Sequence, residues 1–294
     1  VEDSLYTANL YEEMVLSPAH LEEYRSTGHV YAGRVAADED VAVLRPLVRE
    51  LVRSCVKEDR PLEERDDFGR AFLQLINLWQ RDEAVKKFVF ARKFARMAAD
   101  LMETDGVRLY LDQIFYKEPG GGPTPWHQDG AYMLRFKPDK LITLWLPLTD
   151  IPDEMGSLRF ISGAHETLRM KNSGNILLDA VRRGLPETGY KGMKAGHATF
   201  HSGWTPHSAL ANPTDSMREV LTITYIAEDA VIADPEDNEA RRKHLETYFP
   251  GRKPGECADS PLNPVLYRRD EDARPPADRP DLPLNKARIV CNRS

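Results

Sequence analysis

Apolar residues recur at helical spacing through the first hundred positions and then change to the two-residue alternation of strands, with the switch at Val107. Ser17-Pro18 puts an N-cap before a proline at the first helical position, Leu21 and Tyr24 follow, and Gly28 marks the stop. A second helix is predicted to start after Asp38 and run to Cys55, on the recurrence of Val41, Leu44, Val48, Leu51 and Val52. The charged run at 60–67 reads as a loop. Val85, Phe88, Val89, Ala95, Met97, Ala98 and Leu101 predict one more helical face across 84–102.

Val107, Leu109, Leu111, Gln113 and Phe115 then fall on one face of a predicted strand, and the Gly- and Pro-rich stretch 117–125 is a loop. A second strand at 140–148 has Leu141, Thr143 and Trp145 on one face and Ile142, Leu144 and Leu146 on the other. Shorter strands are predicted at 157–161, 198–201, 205–209 and 218–227, a series that points to a β-sandwich or jelly roll flanked by helices. Asp234-Pro235-Glu236 opens a later helix that runs to about Tyr248, and 270–283, rich in Pro and charge, reads as an extended surface tail. There is no internal repeat and no Gly-rich phosphate loop.

Composition narrows the function classes. The 294 residues are 30% charged and 41% hydrophobic, an ordinary balance for a globular protein, and the length fits one large domain over 1–294. A net charge of −7 argues against a general nucleic-acid or anionic-membrane surface, and no apolar run is long enough to span a bilayer. Cys55, Cys257 and Cys291 are scattered, without metal-binding spacing, and Val1-Glu2-Asp3-Ser4 has no signal-peptide pattern, so a reducing cytoplasm is the expected setting. Any metal here must therefore use His and carboxylate.

His127-Gln128-Asp129 supplies both. On an extended segment the imidazole and the carboxylate point to the same side and can share one ion. With a second His they would form the two-His, one-carboxylate arrangement of non-haem Fe(II) oxygenases. His197, His201 and His207 cluster further on, and Asn212-Pro213-Thr214-Asp215 is a strong turn signal. Reflecting the chain about that turn sets His207 opposite Arg218 on a returning strand, with His201 the main rival as third ligand. An arginine inside the apolar run Val220, Leu221, Ile223, Tyr225 suits an acidic co-substrate, because its charged fork can hold a carboxylate in two places.

These motifs occur in a particular order: Pro125-Trp126-His127-Gln128-Asp129, Trp145-Leu146-Pro147-Leu148-Thr149-Asp150, Gly156-Ser157-Leu158 with Ser162-Gly163-Ala164-His165, Phe200-His201-Ser202-Gly203-Trp204-Thr205-Pro206-His207, and Asn212 with Arg218. In this order the chain resembles the phytanoyl-CoA dioxygenase family of Fe(II)/2-oxoglutarate oxygenases. Tyr24-Arg25-Ser26-Thr27-Gly28 and Pro261-Leu262-Asn263-Pro264 are similar to the family as well. The resemblance implies an α+β fold whose double-stranded β-helix (jelly-roll, cupin-like) core spans about 106–228. A helical part at about 1–105 and a helical and extended part at about 229–294 would flank it. It assigns His127, Asp129 and His207 to iron and Arg218 to the far carboxylate of 2-oxoglutarate. Gln113 and Trp145 match positions that line the co-substrate pocket in relatives, and Thr143 faces the same way as Trp145. Ala209 departs from a common Ser that touches the co-substrate, and Gly196-His197 replaces a common Gly-Asp.

The implied activity is oxidation, by default hydroxylation, of an unactivated C–H bond in a small or medium organic metabolite of secondary metabolism. Fe(II), 2-oxoglutarate and O2 are consumed or used, and succinate and CO2 are released. Asp129 argues against halogenation, since halogenating relatives carry Gly or Ala there. Trp126, Tyr132, Met133, Arg135 and Trp204 are the candidates for contact with substrate. No nucleic acid and no membrane is expected as partner, and the assembly is expected to be a monomer or homodimer. Two other readings keep the fold: a non-catalytic jelly-roll binding protein, and a metal-dependent hydrolase or isomerase. The triad together with Arg218 argues against both.

Overall fold

The computed structural model describes residues 5–168 and 176–273, so Cys291 and nearly all of the predicted tail at 270–283 lie outside the described residues. The helices are α1 (Ala8–Tyr11), α2 (Pro18–Thr27), α3 (Asp38–Cys55), α4 (Asp67–Ala71), α5 (Glu83–Val89), α6 (Arg92–Met102), α7 (Asp129–Tyr132), α8 (Ile176–Arg182) and α9 (Glu239–Tyr248). Strands β1 (His29–Arg34), β2 (Leu73–Ile76), β3 (Gly106–Lys117), β4 (Thr124–His127), β5 (Phe136–Lys137), β6 (Leu141–Pro147) and β7 (Leu158–Ile161) fall in the first part of the chain. After them come β8 (Glu187–Gly189), β9 (His197–Ser202), β10 (His207–Ala209), β11 (Arg218–Ala227), β12 (Val231–Ile232) and β13 (Val265–Arg268).

The capping signals work as read for α2. The Ser17 hydroxyl accepts from the His20 amide, the His20 ring accepts from the Ser17 amide, and Gly28 ends the helix at φ +82°. Helix α3 ends at Cys55 as predicted and starts with Asp38 itself, after Ala37 at the N-cap. The face expected across 84–102 is two helices instead, because the chain turns at Phe90 and Ala91 between α5 and α6. The later helix starts at Glu239, after the expected cap. Asp234 spends its carboxylate on the Glu236 amide, Glu236 takes φ +55°, and Asn238 caps α9 by accepting from Arg241.

Two antiparallel sheets face each other. The larger runs β1-β9-β6-β11-β3-β13, with β2 also on β3, and the smaller runs β4-β10-β7-β8. The outer face of the large sheet presents Ile114, Ile142, Leu144, Leu146, Phe200, Leu221 and Ile223 to Leu44 and Val48 of α3, Val85 and Phe88 of α5, and Phe94 and Met97 of α6. All are buried, and each is worth about 1.5–3 kcal/mol relative to exposure. The inner face carries Thr143 and Trp145 on β6, Gln113 and Phe115 on β3, and Arg218 and Thr222 on β11, all lining one cavity against the small sheet.

Two sequence expectations fail here for identifiable reasons. The alternation along β3 does not hold end to end, because Thr224 pairs with Leu111 and Tyr225 with Leu109, leaving Tyr110 as a bulge. Before the bulge the odd residues Val107 and Leu109 face the helices; after it Ile114 and Tyr116 do, which frees Gln113 and Phe115 for the cavity. The hairpin expected about residue 212 also does not form. Strand β10 pairs with β4 and β7, whereas β11 pairs with β3 and β6, so His207 and Arg218 stand on opposite sheets. They still meet across the cavity. No helix of the described residues is long and apolar enough to cross a membrane.

Helix α3 also holds the strand that carries Arg218. The side chain of Glu219 is fully buried and accepts from both Arg45 and Arg49 of α3, with Arg45 Nη2 at 2.9 Å from Oε1. Burial alone would raise the Glu219 carboxyl, but these guanidiniums hold it below the usual range. A carboxylate depressed in the folded state adds stability above its unfolded pKa and loses it as pH falls through the folded value. Removing both arginines by Ala substitution should therefore destabilise the protein by about 2–4 kcal/mol, in the lower range for breaking a buried pair because both guanidiniums are partly exposed. Thermal melts should show that loss near neutral pH and a shrinking gap to the parent protein as the carboxylate range is approached; equal gaps at every pH would contradict it.

Candidate active site

The peptide around His127 is built to aim alternate side chains in opposite directions. His127 closes β4, Gln128 is extended at φ −124° and ψ 128°, and Asp129 begins α7. Gln128 therefore points away from its neighbours into the protein, where its amide nitrogen donates to the carbonyls of Leu168, at 2.7 Å, and Trp204. Gly130 must lack a side chain, since a Cβ there would lie 2.8 Å from the Trp204 ring. Its amide donates to Gly203 at 2.8 Å.

His127 and His207 are direct partners across β4 and β10, and their rings lie 4.1 Å apart. Each ring is oriented by the same device. His127 Nδ1 is 2.9 Å from the Pro125 carbonyl and His207 Nδ1 is 3.0 Å from the Thr205 carbonyl. A carbonyl can only accept, so each Nδ1 carries the proton and each Nε2 presents a lone pair. Both Nε2 atoms stand 3.6 Å from Asp129 Oδ1. The potential ligand atoms of the three residues all lie within 4.8 Å of one another.

Burial, and then the neighbouring His127, keeps His207 neutral by pushing its pKa well below the ordinary histidine value. Burial works against ionisation of Asp129, yet the surrounding imidazoles, His207 foremost, hold its carboxyl below the usual range. A carboxylate oxygen and two imidazole nitrogens, each with its other ring nitrogen bonded to a carbonyl, are thus assembled. Such a donor set, with its outer atoms tied to carbonyls, fits a divalent transition metal. The other carboxylate oxygen, Oδ2, accepts from Thr143 Oγ1 at 3.2 Å and faces His201 Nε2 at 3.6 Å. His201, buried on β9, lies outside the three-residue cluster, with its ring centre 4.5 Å from that of His207.

The cavity encloses about 80 Å3. Arg218 lines it from the opposite sheet, buried, with Nη1 donating to the Gly156 carbonyl at 2.5 Å and Nε unpartnered. Burial draws its pKa to about 10, so it remains charged at neutral pH. Trp145 lies with its ring centre 6.0 Å from the guanidinium carbon. Gln113 lines the same wall and accepts from Gln74 at 2.7 Å, while the Thr143 hydroxyl is committed to Asp129 and Thr224. Ala209 is part of this lining. Phe72, Thr124, Leu158 and Thr222 also line it and were missed in the sequence. Thr222 could have been found as the inward partner of Gln113 and Trp145, but Phe72 ends a short helix inside a charged stretch with no pattern to mark it.

The five residues expected at the substrate do not line this cavity. Met133 packs in the apolar cluster with Phe136 and Phe249, and Tyr132 is half exposed. Trp204 is buried against Gly130, donates to Asp139 at 2.9 Å and stacks with Arg135, whose guanidinium carbon is 5.2 Å from its ring. Trp126, next to His127, points to the opposite side of the strand, beneath Arg159 and against the α8 cluster. A larger hollow of about 830 Å3, on the outer side between α3 and the ends of β6 and β9, contains none of the triad.

Residues 13–220 match the family Phytanoyl-CoA dioxygenase (PhyH). The chain belongs to the phytanoyl-CoA dioxygenase family. The cluster of His127, Asp129 and His207 fits the iron site of that family's oxygenases. It is 28% identical over 169 residues to 2-aminoethylphosphonate dioxygenase from uncultured bacterium HF130_AEPn_1, covering 55% of this chain and 62%, less than two thirds, of that protein. It is 24% identical over 214 residues to methylphosphonate hydroxylase from Gimesia maris, covering 72% of this chain and 81% of the relative. Among solved structures, the epimerase SnoN in complex with Fe3+, alpha ketoglutarate and nogalamycin RO superposes with a TM-score of 0.72 at 23% identity, over 85% of this chain and all of that one. That likeness carries the jelly-roll fold.

Because Gly130 follows Asp129 directly and abuts Trp204, Gly130→Ala should disturb both packing and the triad. Expected are a loss of about 1–3 kcal/mol in thermal or denaturant melts and weaker metal binding by titration. Unchanged melting and metal affinity would mean that Trp204 yields without moving Asp129.

Proposed function

We propose that His127 Nε2, Asp129 Oδ1 and His207 Nε2 hold Fe(II), that Arg218 holds the far carboxylate of 2-oxoglutarate, and that the enzyme hydroxylates an unactivated C–H bond of a small organic molecule. The observation that carries this reading is the pairing of the His127, Asp129 and His207 cluster with a buried cation that has no carboxylate partner among the described residues, on facing walls of one cavity. When bound, Fe(II) and 2-oxoglutarate would supply the electrons that activate O2, the 2-oxoglutarate leaving as succinate and CO2.

The chain's own residues do the positioning. The Pro125 and Thr205 carbonyls fix the imidazole tautomers, and Thr143 turns the carboxylate by holding Oδ2. Arg218 is itself oriented by the Gly156 carbonyl, so its remaining donors face the cavity. Trp145, Leu158 and Val220 keep that end apolar and strengthen its hold on a carboxylate. Asp129 occupies the place a halide would need, which favours oxygen transfer.

Relatives named for 2-aminoethylphosphonate and methylphosphonate support a compact polar substrate, and the fold neighbour SnoN, in complex with nogalamycin RO, supports a larger one. The small cavity favours the compact class, a small organic acid or phosphonate.

Asp129→Ala and His207→Ala should each abolish succinate formation and the visible charge-transfer band that appears when Fe(II) and 2-oxoglutarate are added without O2. Full turnover in either variant would remove the triad from the mechanism. Arg218→Ala should keep iron but need about 10- to 100-fold more 2-oxoglutarate, the cost of one charge-assisted bidentate contact; an unchanged requirement would place the far carboxylate elsewhere.

A further inference from the structure

Beside Arg218 lies a second cation to which the reading above gives no task. Lys117 ends β3 and is the register partner of Arg218 on β11, so both side chains leave the same face of the sheet. Lys117 is fully buried. Its ammonium donates to the Gly122 carbonyl, stands 3.5 Å from Thr124 Oγ1 and lies 5.8 Å from the centre of the Phe72 ring. Thr124 and Phe72 both line the cavity that holds Arg218 and the triad. The ammonium is therefore one side chain behind the cavity wall.

The charges around Lys117 do not balance. Arg218 is the charged group facing it from β11; Thr124 faces it from β4, Phe72 from the end of α4, and the Gly122 carbonyl from the intervening loop. Glu118, the next residue, turns away to form an ion pair with Arg65. Among the described residues no carboxylate compensates either Lys117 or Arg218. Two buried like charges side by side are costly until an anion arrives or one loses its proton. Burial, and after it Arg218, draws the Lys117 ammonium down to about 7.

We propose that Lys117 is a second cationic positioning residue for the far carboxylate of 2-oxoglutarate, acting beside Arg218 through the Thr124 hydroxyl. The inference rests on the reading that Arg218 receives this carboxylate. Thr124 Oγ1 accepts from Lys117 Nζ and has its own proton free to donate into the cavity, so the charge is passed on without contact between the amine and the ligand. Binding the carboxylate restores the preference of Lys117 for its proton. Above about pH 7 the co-substrate must then bring a proton with it, and its affinity falls as pH rises.

The test is 2-oxoglutarate binding to the full-length, Fe(II)-loaded protein without O2, followed by calorimetry in buffers of different ionisation enthalpy. From about pH 7 to 8.5 affinity should fall by up to tenfold per pH unit, with proton uptake seen as buffer-dependent heat. Pyruvate, a 2-oxo acid without the far carboxylate, should show no such slope. Lys117→Met should bind about tenfold more weakly at the lower pH and lose both slope and proton uptake. Lys117→Arg, charged throughout, should retain affinity but lose the slope. A pH-independent affinity in the parent protein, or a slope that survives in Lys117→Met, would overturn the inference. If Arg218→Ala loses affinity while Lys117→Met does not, the inference falls and the role of Arg218 stands; if neither variant changes affinity, both fall.

Discussion

Asp129 is an ionised carboxylate with three imidazoles around it, covered on one side by β6 and on the other by β4 and β10. Its two oxygens have separate surroundings, and the donated hydrogen bond from Thr143 goes to Oδ2 alone. Oδ1 faces His127 and His207, and Oδ2 faces Thr143 and His201. The division fixes the rotation of the carboxylate, and a fixed rotation separates a metal site from a group of polar residues. The two sheets serve this end: the smaller supplies His127 and His207, and the larger supplies His201, the Thr143 hydroxyl and, farther along, the guanidinium.

The outer layer has a corresponding role. Helices α3, α5 and α6 cover one face of the large sheet with apolar contacts, while Arg45 and Arg49 reach down to Glu219, the residue next to Arg218. Because neighbouring residues on a strand point to opposite faces, holding Glu219 outward holds Arg218 inward. Charge on the outside of the sheet thus sets the register of charge on the inside. Lys117 repeats the pattern on β3, where Tyr116 faces the helices and Lys117 faces the cavity side.

Much of this was legible in the chain. The caps at Ser17 and Gly28 bounded α2, the recurrence of Val41, Leu44 and Val48 gave α3, and the alternation through Ile142–Leu146 assigned both faces of β6 correctly. The cluster of His127, Asp129 and His207 was also chosen, but the reason offered from spacing was wrong: the turn at Asn212 sends the chain to the other sheet instead of folding it back on itself. A strand's partner depends on long-range packing, which local turn chemistry does not encode. The bulge at Tyr110 was invisible for the same reason, and it decides which residues of β3 reach the cavity. Trp126 and Trp204, candidates by sequence for contact with substrate, stand outside the lining of the triad's cavity, because a side chain's type does not say which way the backbone turns it.

The central claim is that Asp129 binds a metal through Oδ1 while Thr143 holds Oδ2, with His127 and His207 each presenting Nε2. It is tested most directly by a crystal structure grown without O2 in Fe(II) and 2-oxoglutarate, with anomalous data collected at the iron edge. The account predicts one iron peak bonded to those three atoms, with the co-substrate reaching toward Arg218. An iron bonded to His201 in place of His207, or a peak outside this cavity, would contradict it.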